Sequence, residues 1–267
     1  FKICPKFNDM PDCLRFLNHM QKLPSSQIIA YARGERFQFT RQLAIAQQQP
    51  IHFLRPRAVD NPDFQLTIDQ VPPQKVVRKW FALLGQNIAH SLSPNFHNKW
   101  LLEKNLPGLY FLLDVLPDEL EECWHEIQTL PFFGFSVTTP HKHELAKITH
   151  SPLHVINTLS REHHWQTFNT DQLAFAELHR PYQSILILGA GATATAIAEK
   201  IKGNFCIWSR PSASLTTFTQ TFKNARPIGQ TEYDLIISTL PGGVKPKSLP
   251  KLHAKQLIEL QYTHKSI

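Results

Sequence analysis

Ser184-Ile185-Leu186-Ile187-Leu188-Gly189-Ala190-Gly191-Ala192-Thr193-Ala194 is the stretch that decides the fold. Its first half is a continuous apolar run, the pattern of a parallel strand buried on both faces. Its second half fits G-x-G-x-x-A, and helix formers follow through Lys200. Gly189 permits a tight turn, Gly191 lets a pyrophosphate approach the backbone, and Ala194 lets helix and strand pack closely. The helix N-terminus adds unpaired N–H donors. Gly189, Ala190, Gly191, Ala192, Thr193 and Ala194 are therefore candidates for a dinucleotide loop; an ordinary strand–helix turn is the alternative. The next strand, Asn204–Trp208, runs into Ser209-Arg210, where enzymes that use NAD place an acid. A guanidinium suits a 2′-phosphate, which points to NADP; a solvated surface arginine is the plainer reading. A later strand, Asp234–Thr239, runs into Leu240-Pro241-Gly242-Gly243, so Thr239 and Leu240 are expected near the nicotinamide end.

Upstream, strand and helix alternate again, which argues for α/β layering. The pattern predicts strands over Trp80–Gly85, Tyr110–Asp114 and Phe133–Thr138, and helices over Pro94–Lys104 and Asp118–Thr129. The first strand leads into His90-Ser91-Leu92-Ser93-Pro94. Ser93 is expected as N-cap and Pro94 as first helical residue. With Ser91 it places two hydroxyls beside a helix N-terminus, a site for a small carboxylate.

The remaining composition excludes several classes. Hydrophobic residues are 42% and charged residues 18% of 267, ordinary for a soluble enzyme. No apolar run reaches membrane-spanning length, and the start carries no signal-peptide pattern. Cys4, Cys13, Cys123 and Cys206 lie far apart without metal spacing, as expected of reduced thiols in a cytoplasmic protein. The net charge of +7 is not gathered into a run. It is expected to reflect anionic small molecules rather than nucleic acid. No metal is expected.

Gly134-Phe135-Ser136-Val137-Thr138-Thr139-Pro140-His141-Lys142, Ile156-Asn157-Thr158 and Asn169-Thr170-Asp171 follow the Ser91–Ser93 turn in order. From about Trp80 to Tyr262 the chain resembles the shikimate dehydrogenases. The resemblance implies an α/β substrate domain followed by a Rossmann NADP domain. It implies reversible NADP-linked reduction of 3-dehydroshikimate to shikimate, a step of aromatic amino acid biosynthesis. By that resemblance Ser91 and Ser93 hold the substrate carboxylate, Lys142 and Asp171 are the catalytic pair, and Asn157 and Thr138 bond ring hydroxyls. Ser136, Thr170 and Tyr262 are further substrate contacts. Three positions depart from the family: Ser136 replaces an Asn, Ala192 a Gly, and Ser209-Arg210-Pro211 stands for Asn-Arg-Thr. The chemistry is consistent, since a cationic lysine beside a carboxylate can deliver a proton and neutralise a developing alkoxide. The expected place is a cleft between two domains. A quinate/shikimate dehydrogenase and a non-catalytic dinucleotide-binding sensor are the competing readings. Arg210 speaks against the first and the Lys142–Asp171 pair against the second.

Residues 1–70 resemble the last third of a type I 3-dehydroquinate dehydratase, a (β/α)8 barrel. Phe1-Lys2-Ile3 matches its Schiff-base strand, Thr40-Arg41 its Ser-Arg step, and Phe64-Gln65-Leu66-Thr67 its G-Q-L-T. Lys2 is thereby implied as the imine lysine, with Arg41 and Gln65 as substrate contacts. The expected division is residues 1–74 as barrel remnant, 75–180 as shikimate-binding domain and 181–267 as NADP domain. Phe1 and Ile267 both adjoin strand-like runs, so both ends are expected to be cuts. The 267-residue chain alone is then expected neither to dehydrate 3-dehydroquinate nor to form a stable barrel, whereas a full-length parent does both.

Overall fold

The computed structural model describes residues 1–56, 64–71, 77–178, 182–240, 249 and 251–260. They form two compact units. Unit 1 comprises Phe1–Pro152 and Ile156–Phe168; unit 2 comprises Leu153–Val155 and the described residues from Asn169 onward.

Unit 1 begins with β1 (Lys2–Ile3), α1 (Met10–Met20), β2 (Ile29–Ala30), α2 (Phe39–Ala46), β3 (Leu54–Arg55) and β4 (Leu66–Thr67). The strands pair in parallel as two separate ribbons, β1 with β2 and β3 with β4. Asp9 caps α1 by accepting the Asp12 N–H. The main sheet follows, with β5 (Lys79–Gly85), α3 (Ser93–Glu103), β6 (Gly108–Asp114), α4 (Leu120–Ile127), β7 (Phe132–Val137), α5 (Glu144–Ile148), β8 (Thr158–Arg161) and β9 (Trp165–Phe168). Its order is β6-β5-β7-β8-β9. The first three strands are parallel, as expected, and β8 and β9 run antiparallel. The sequence reading ends this sheet at Thr138 and contains no antiparallel pair. Both added strands are short and half-exposed, so they lack a continuous apolar run.

The sheet is covered on both faces. Leu83 and Tyr110 pack with Leu101 of α3 and with Ile88. The other face carries Trp80, Phe111 and Phe132, all fully buried. There Phe39 of α2 stacks on Phe111, with centroids 5.0 Å apart and ring planes within 10°. The first 71 residues thus share a core with the main sheet. α1 and α4 bury Met10, Cys13, Leu14, Cys123 and Ile127 and pack side by side.

Glu119 joins the two parts of unit 1. Its carboxylate pairs with Arg36, and it accepts the N–H of Met10 (3.2 Å) and of Leu116 (2.9 Å). Arg36 also donates to the Asp114 carbonyl at 3.0 Å. Glu119 is buried, and burial of a charge is tolerable only when it is paired and hydrogen-bonded. The exposed pairs nearby, such as Arg15–Glu122 at 2.7 Å, contribute little.

Unit 2 holds α6 (Thr170–Ala176), β10 (Ile185–Leu188), α7 (Ala192–Ala198), β11 (Phe205–Trp208), α8 (Ala213–Thr221), β12 (Ala225–Pro227), β13 (Glu232–Ser238) and β14 (His253–Glu259). All its strands are parallel, in the order β12-β11-β10-β13-β14. β10 lies at the centre and all four of its residues are buried, as its apolar run requires. Strand order reverses beside β10, the switch point of a doubly wound sheet. The expected linker prolines Pro72 and Pro73, and Tyr262, lie outside the described residues.

A pH effect follows from Glu119. Burial raises its carboxyl, but Arg36 and the N–H groups of Leu116 and Met10 outweigh this and hold it below its ordinary value of 4.5. The unfolded chain therefore takes up the proton first as the pH falls. Its stabilising contribution is present above about pH 4.5 and is lost as the pH drops through the lower folded value. Glu119→Gln should lose roughly 3 kcal/mol at neutral pH and show a shallower acid limb. Urea unfolding from pH 7 to pH 3 checks this; parallel acid limbs in the two proteins would refute it.

Candidate active site

In unit 1 the parallel strands β5, β6 and β7 deliver their carboxyl ends to one edge. Thr138 N–H donates to the Leu84 carbonyl (2.9 Å), Gln86 N–H to Thr139 (3.3 Å), and Val137 N–H to the Asn157 carbonyl (2.8 Å). Ile156 N–H donates to the Lys142 carbonyl at 3.1 Å. Ser136, Thr138 and Lys142 thereby lie with Asn157, from the next motif along the chain, at one edge of one sheet. Gly85 is required where β5 leaves this edge, because a Cβ there would collide with the side chains of Thr138 and Ile88.

The hydroxyl pair sits beside it. Ser91 Oγ donates to Ser93 Oγ (3.1 Å), and Ser93 N–H donates to Ser91 Oγ (3.2 Å). This corrects one detail. The helix begins at Ser93 with Leu92 in the cap position, so the capping oxygen is that of Ser91, not Ser93. Ser91, Asn87, His90, Asn98 and Asp114 line a cavity of about 1150 Å³ that reaches Arg36.

His141, quoted within the motif but given no role, proves to be structural. It is buried, and its Nε2 lies 2.8 Å from the Val115 carbonyl. Burial pushes its pKa down, so the ring is neutral and donates that bond. It fixes the turn that carries Lys142.

In unit 2, Asn169 caps α6. Its Oδ1 accepts the N–H of Asp171 (3.0 Å) and of Gln172 (3.3 Å), and its Nδ2 donates to the Val155 carbonyl (3.0 Å). Thr170 and Asp171 thus occupy the first turn of α6, where the helix dipole favours an acid. Glu199, unremarked in sequence, ties α6 to α7. It accepts from Gln172, and from His154 Nδ1 at 2.7 Å.

The turn after β10 has the geometry its glycines suggest. Gly189 has φ +106° and no room for a Cβ, which would strike the Thr239 hydroxyl. Thr239 in turn donates to the Leu188 carbonyl at 2.9 Å. A Cβ at Gly191 would meet nothing within 4 Å, so this backbone is open to a ligand. Ala190, Ala194 and Leu240 are buried, while Ala192 and Thr193 begin α7. Ser209 and Arg210 follow β11; Arg210 is exposed. These residues fit a dinucleotide: an open glycine backbone for the pyrophosphate, and a guanidinium at the end of the second strand.

In the first 71 residues Arg41 is buried, with its guanidinium 3.9 Å over the Tyr31 ring. It lines a small pocket with His52, Phe53 and Leu66. Lys2 Nζ lies 4.4 Å from the Phe53 ring centre. Gln65 precedes β4 and does not line that pocket. Among the described residues no helix is long and apolar enough to cross a membrane.

Comparison with known proteins finds relatives of this chain. Residues 83–176 match the family described as shikimate dehydrogenase substrate binding domain. The chain is 33% identical over 192 residues to the shikimate dehydrogenase (NADP(+)) of Bacillus licheniformis, covering 62% of this chain and 69% of that one. A crystal structure of shikimate 5-dehydrogenase from Thermus thermophilus in complex with shikimate superposes with a TM-score of 0.56 at 26% identity, covering 68% of this chain and 78% of that one. The same enzyme in complex with NADP(H) and shikimate gives 0.51 at 26% identity, over 60% and 68%.

Proposed function

The chain belongs to the shikimate dehydrogenase family, and on that premise we propose that it interconverts 3-dehydroshikimate and shikimate with NADP. The observation that carries this reading is the gathering of Ser136, Thr138, Lys142 and Asn157 at one sheet edge in the unit that holds the Ser91–Ser93 hydroxyl pair. Bound NADPH supplies the hydride. Ser91 and Ser93 bind the carboxylate. Thr138, Asn157, Ser136 and Thr170 orient the ring through its hydroxyls. Lys142 delivers a proton to the ketone oxygen as the alkoxide develops, with Asp171 assisting as the second member of the catalytic pair. In the reverse direction Lys142 takes the proton back. The loop Gly189–Ala194, with Thr239 and Leu240, holds the dinucleotide, and Ser209 and Arg210 hold its 2′-phosphate. The free cysteines suit a reducing compartment, which supports the cytoplasm as the location of the proposed enzyme.

The first 71 residues carry the second half of the proposal: they derive from a type I 3-dehydroquinate dehydratase. Their parallel β1-α1-β2 unit, with Lys2 at the first strand and Arg41 in the adjoining pocket, supports this. The parent enzyme then catalyses consecutive steps of chorismate synthesis, with Lys2 forming the imine.

Three outcomes test these assignments. Arg210→Ala should weaken NADP binding by about one to two orders of magnitude, the loss of one charge-assisted contact, with NAD binding unchanged; equal losses for both cofactors count against it. Lys142→Ala should lower kcat by roughly 10²–10⁴-fold while shikimate still binds, and Ser91→Ala should mainly raise KM; normal kcat in the lysine variant removes the assignment. Borohydride with 3-dehydroquinate should trap an adduct on Lys2 of the full-length parent, read by intact mass. Absence of that adduct refutes the dehydratase reading.

A further inference from the structure

Glu199 is an acid placed against the preference of its own helix. It caps the carboxyl end of α7, where the helix dipole disfavours a negative charge. Its side chain is only 14% exposed, so water does little to hold it. A residue that breaks a local rule in this way is retained for what it does elsewhere.

Its partners are specific. Glu199 Oε1 accepts the main-chain N–H of His154 (3.2 Å) and lies 2.7 Å from the Nδ1 of the same residue. An ionised carboxylate only accepts, so Nδ1 carries the proton. Glu199 Oε2 accepts from the side-chain amide of Gln172, which is buried.

These bonds close a ring of side chains within unit 2. Asn169 completes it, because its Oδ1 accepts the N–H of Asp171 and of Gln172 while its Nδ2 donates to the Val155 carbonyl. Leu153–Val155 belongs to unit 2 although the chain on either side of it belongs to unit 1. Three residues without a helix or strand of their own rely on side-chain contacts of this kind. On the other side of the ring stands α7, whose residues from Ala194 to Ala198 are all buried. That helix is a fixed post. Asp171 lies between the two anchors: its own N–H is held by Asn169, and its neighbour Gln172 is held by Glu199.

We propose that Glu199 is a positioning residue for the chemical step: from the end of the dinucleotide helix it holds the first turn of α6 through Gln172, and so sets the orientation of Asp171. The inference rests on the reading of Asp171 as a member of the catalytic pair. It adds a residue that the G-x-G-x-x-A pattern does not call for and that touches neither substrate nor cofactor.

The test is a double-mutant cycle in the full chain, pairing Glu199→Ala with Asp171→Asn. The rate read is single-turnover oxidation of shikimate by NADP, which isolates chemistry from product release. E199A should lower that rate roughly tenfold, as for a reacting group displaced by part of an ångström. Kd for shikimate should stay within about twofold. In the D171N background the same substitution should change the rate by less than about twofold, because the residue it acts through is already gone. Without ligands, hydrogen exchange of the Asp171 and Gln172 amides should quicken in E199A. Glu199→Gln should recover most of the rate, since its amide oxygen accepts from His154 and the Gln172 amide can turn to accept from its NH2. His154→Ala, at an exposed position, should show the same pattern at smaller size, and it keeps the test decisive if E199A does not fold. A merely structural glutamate would lower the rate by the same factor in both backgrounds. That result, an unchanged rate in E199A, or unchanged exchange in α6 overturns the inference alone. A wild-type rate in D171N overturns the catalytic-pair reading and this inference together.

Discussion

A parallel strand buried on both faces can offer chemistry to solvent only where it ends. The parallel strands of both five-stranded sheets obey this constraint, and the placement of Thr138, Lys142 and the Gly189 turn depends on it. β10 is wholly buried, so its contribution is the turn that follows, where Gly189 adopts a backbone that a side chain would block. β5 and β7 are enclosed by α3 on one face and by α2 and its neighbours on the other. Their polar residues accordingly collect at the carboxyl edge, where Thr138 and Asn157 are held by main-chain bonds.

The support around these groups is polar and long-range. His141 fastens the Lys142 turn to Val115. Glu199 fastens the helix bearing Asp171 to the helix of the dinucleotide loop. These side chains touch no reacting atom in the proposed chemistry, yet they fix the backbone from which Lys142 and Asp171 project. Precision at such sites comes from supporting shells of this kind.

Much of this was legible in sequence where one local pattern sufficed. The apolar runs gave β5, β6, β7 and β10, and the glycine spacing gave the turn after β10. What escaped depends on partners distant in the chain. Nothing near Met10 announces that its N–H will meet a carboxylate 109 residues later. β8 (Thr-Leu-Ser-Arg) and β9 (Trp-Gln-Thr-Phe) span four positions each without a polar–apolar alternation, so no strand period registers. The cap position of α3 falls on Leu92, one residue before the expected Ser93, and the hydroxyl that accepts the first helical N–H is that of Ser91.

The Phe39–Phe111 stack and the Arg36–Glu119 pair have a bearing on how this gene can evolve. Removing the first 71 residues would leave the main sheet with a bare aromatic face and Glu119 without its counter-ion. The removed part would lose the cover that α4 gives α1. Each piece would need compensating substitutions at several sites before it could stand alone. The packing works as a ratchet: a change on one side of this contact is judged by its fit to the other, so the two parts of unit 1 drift together.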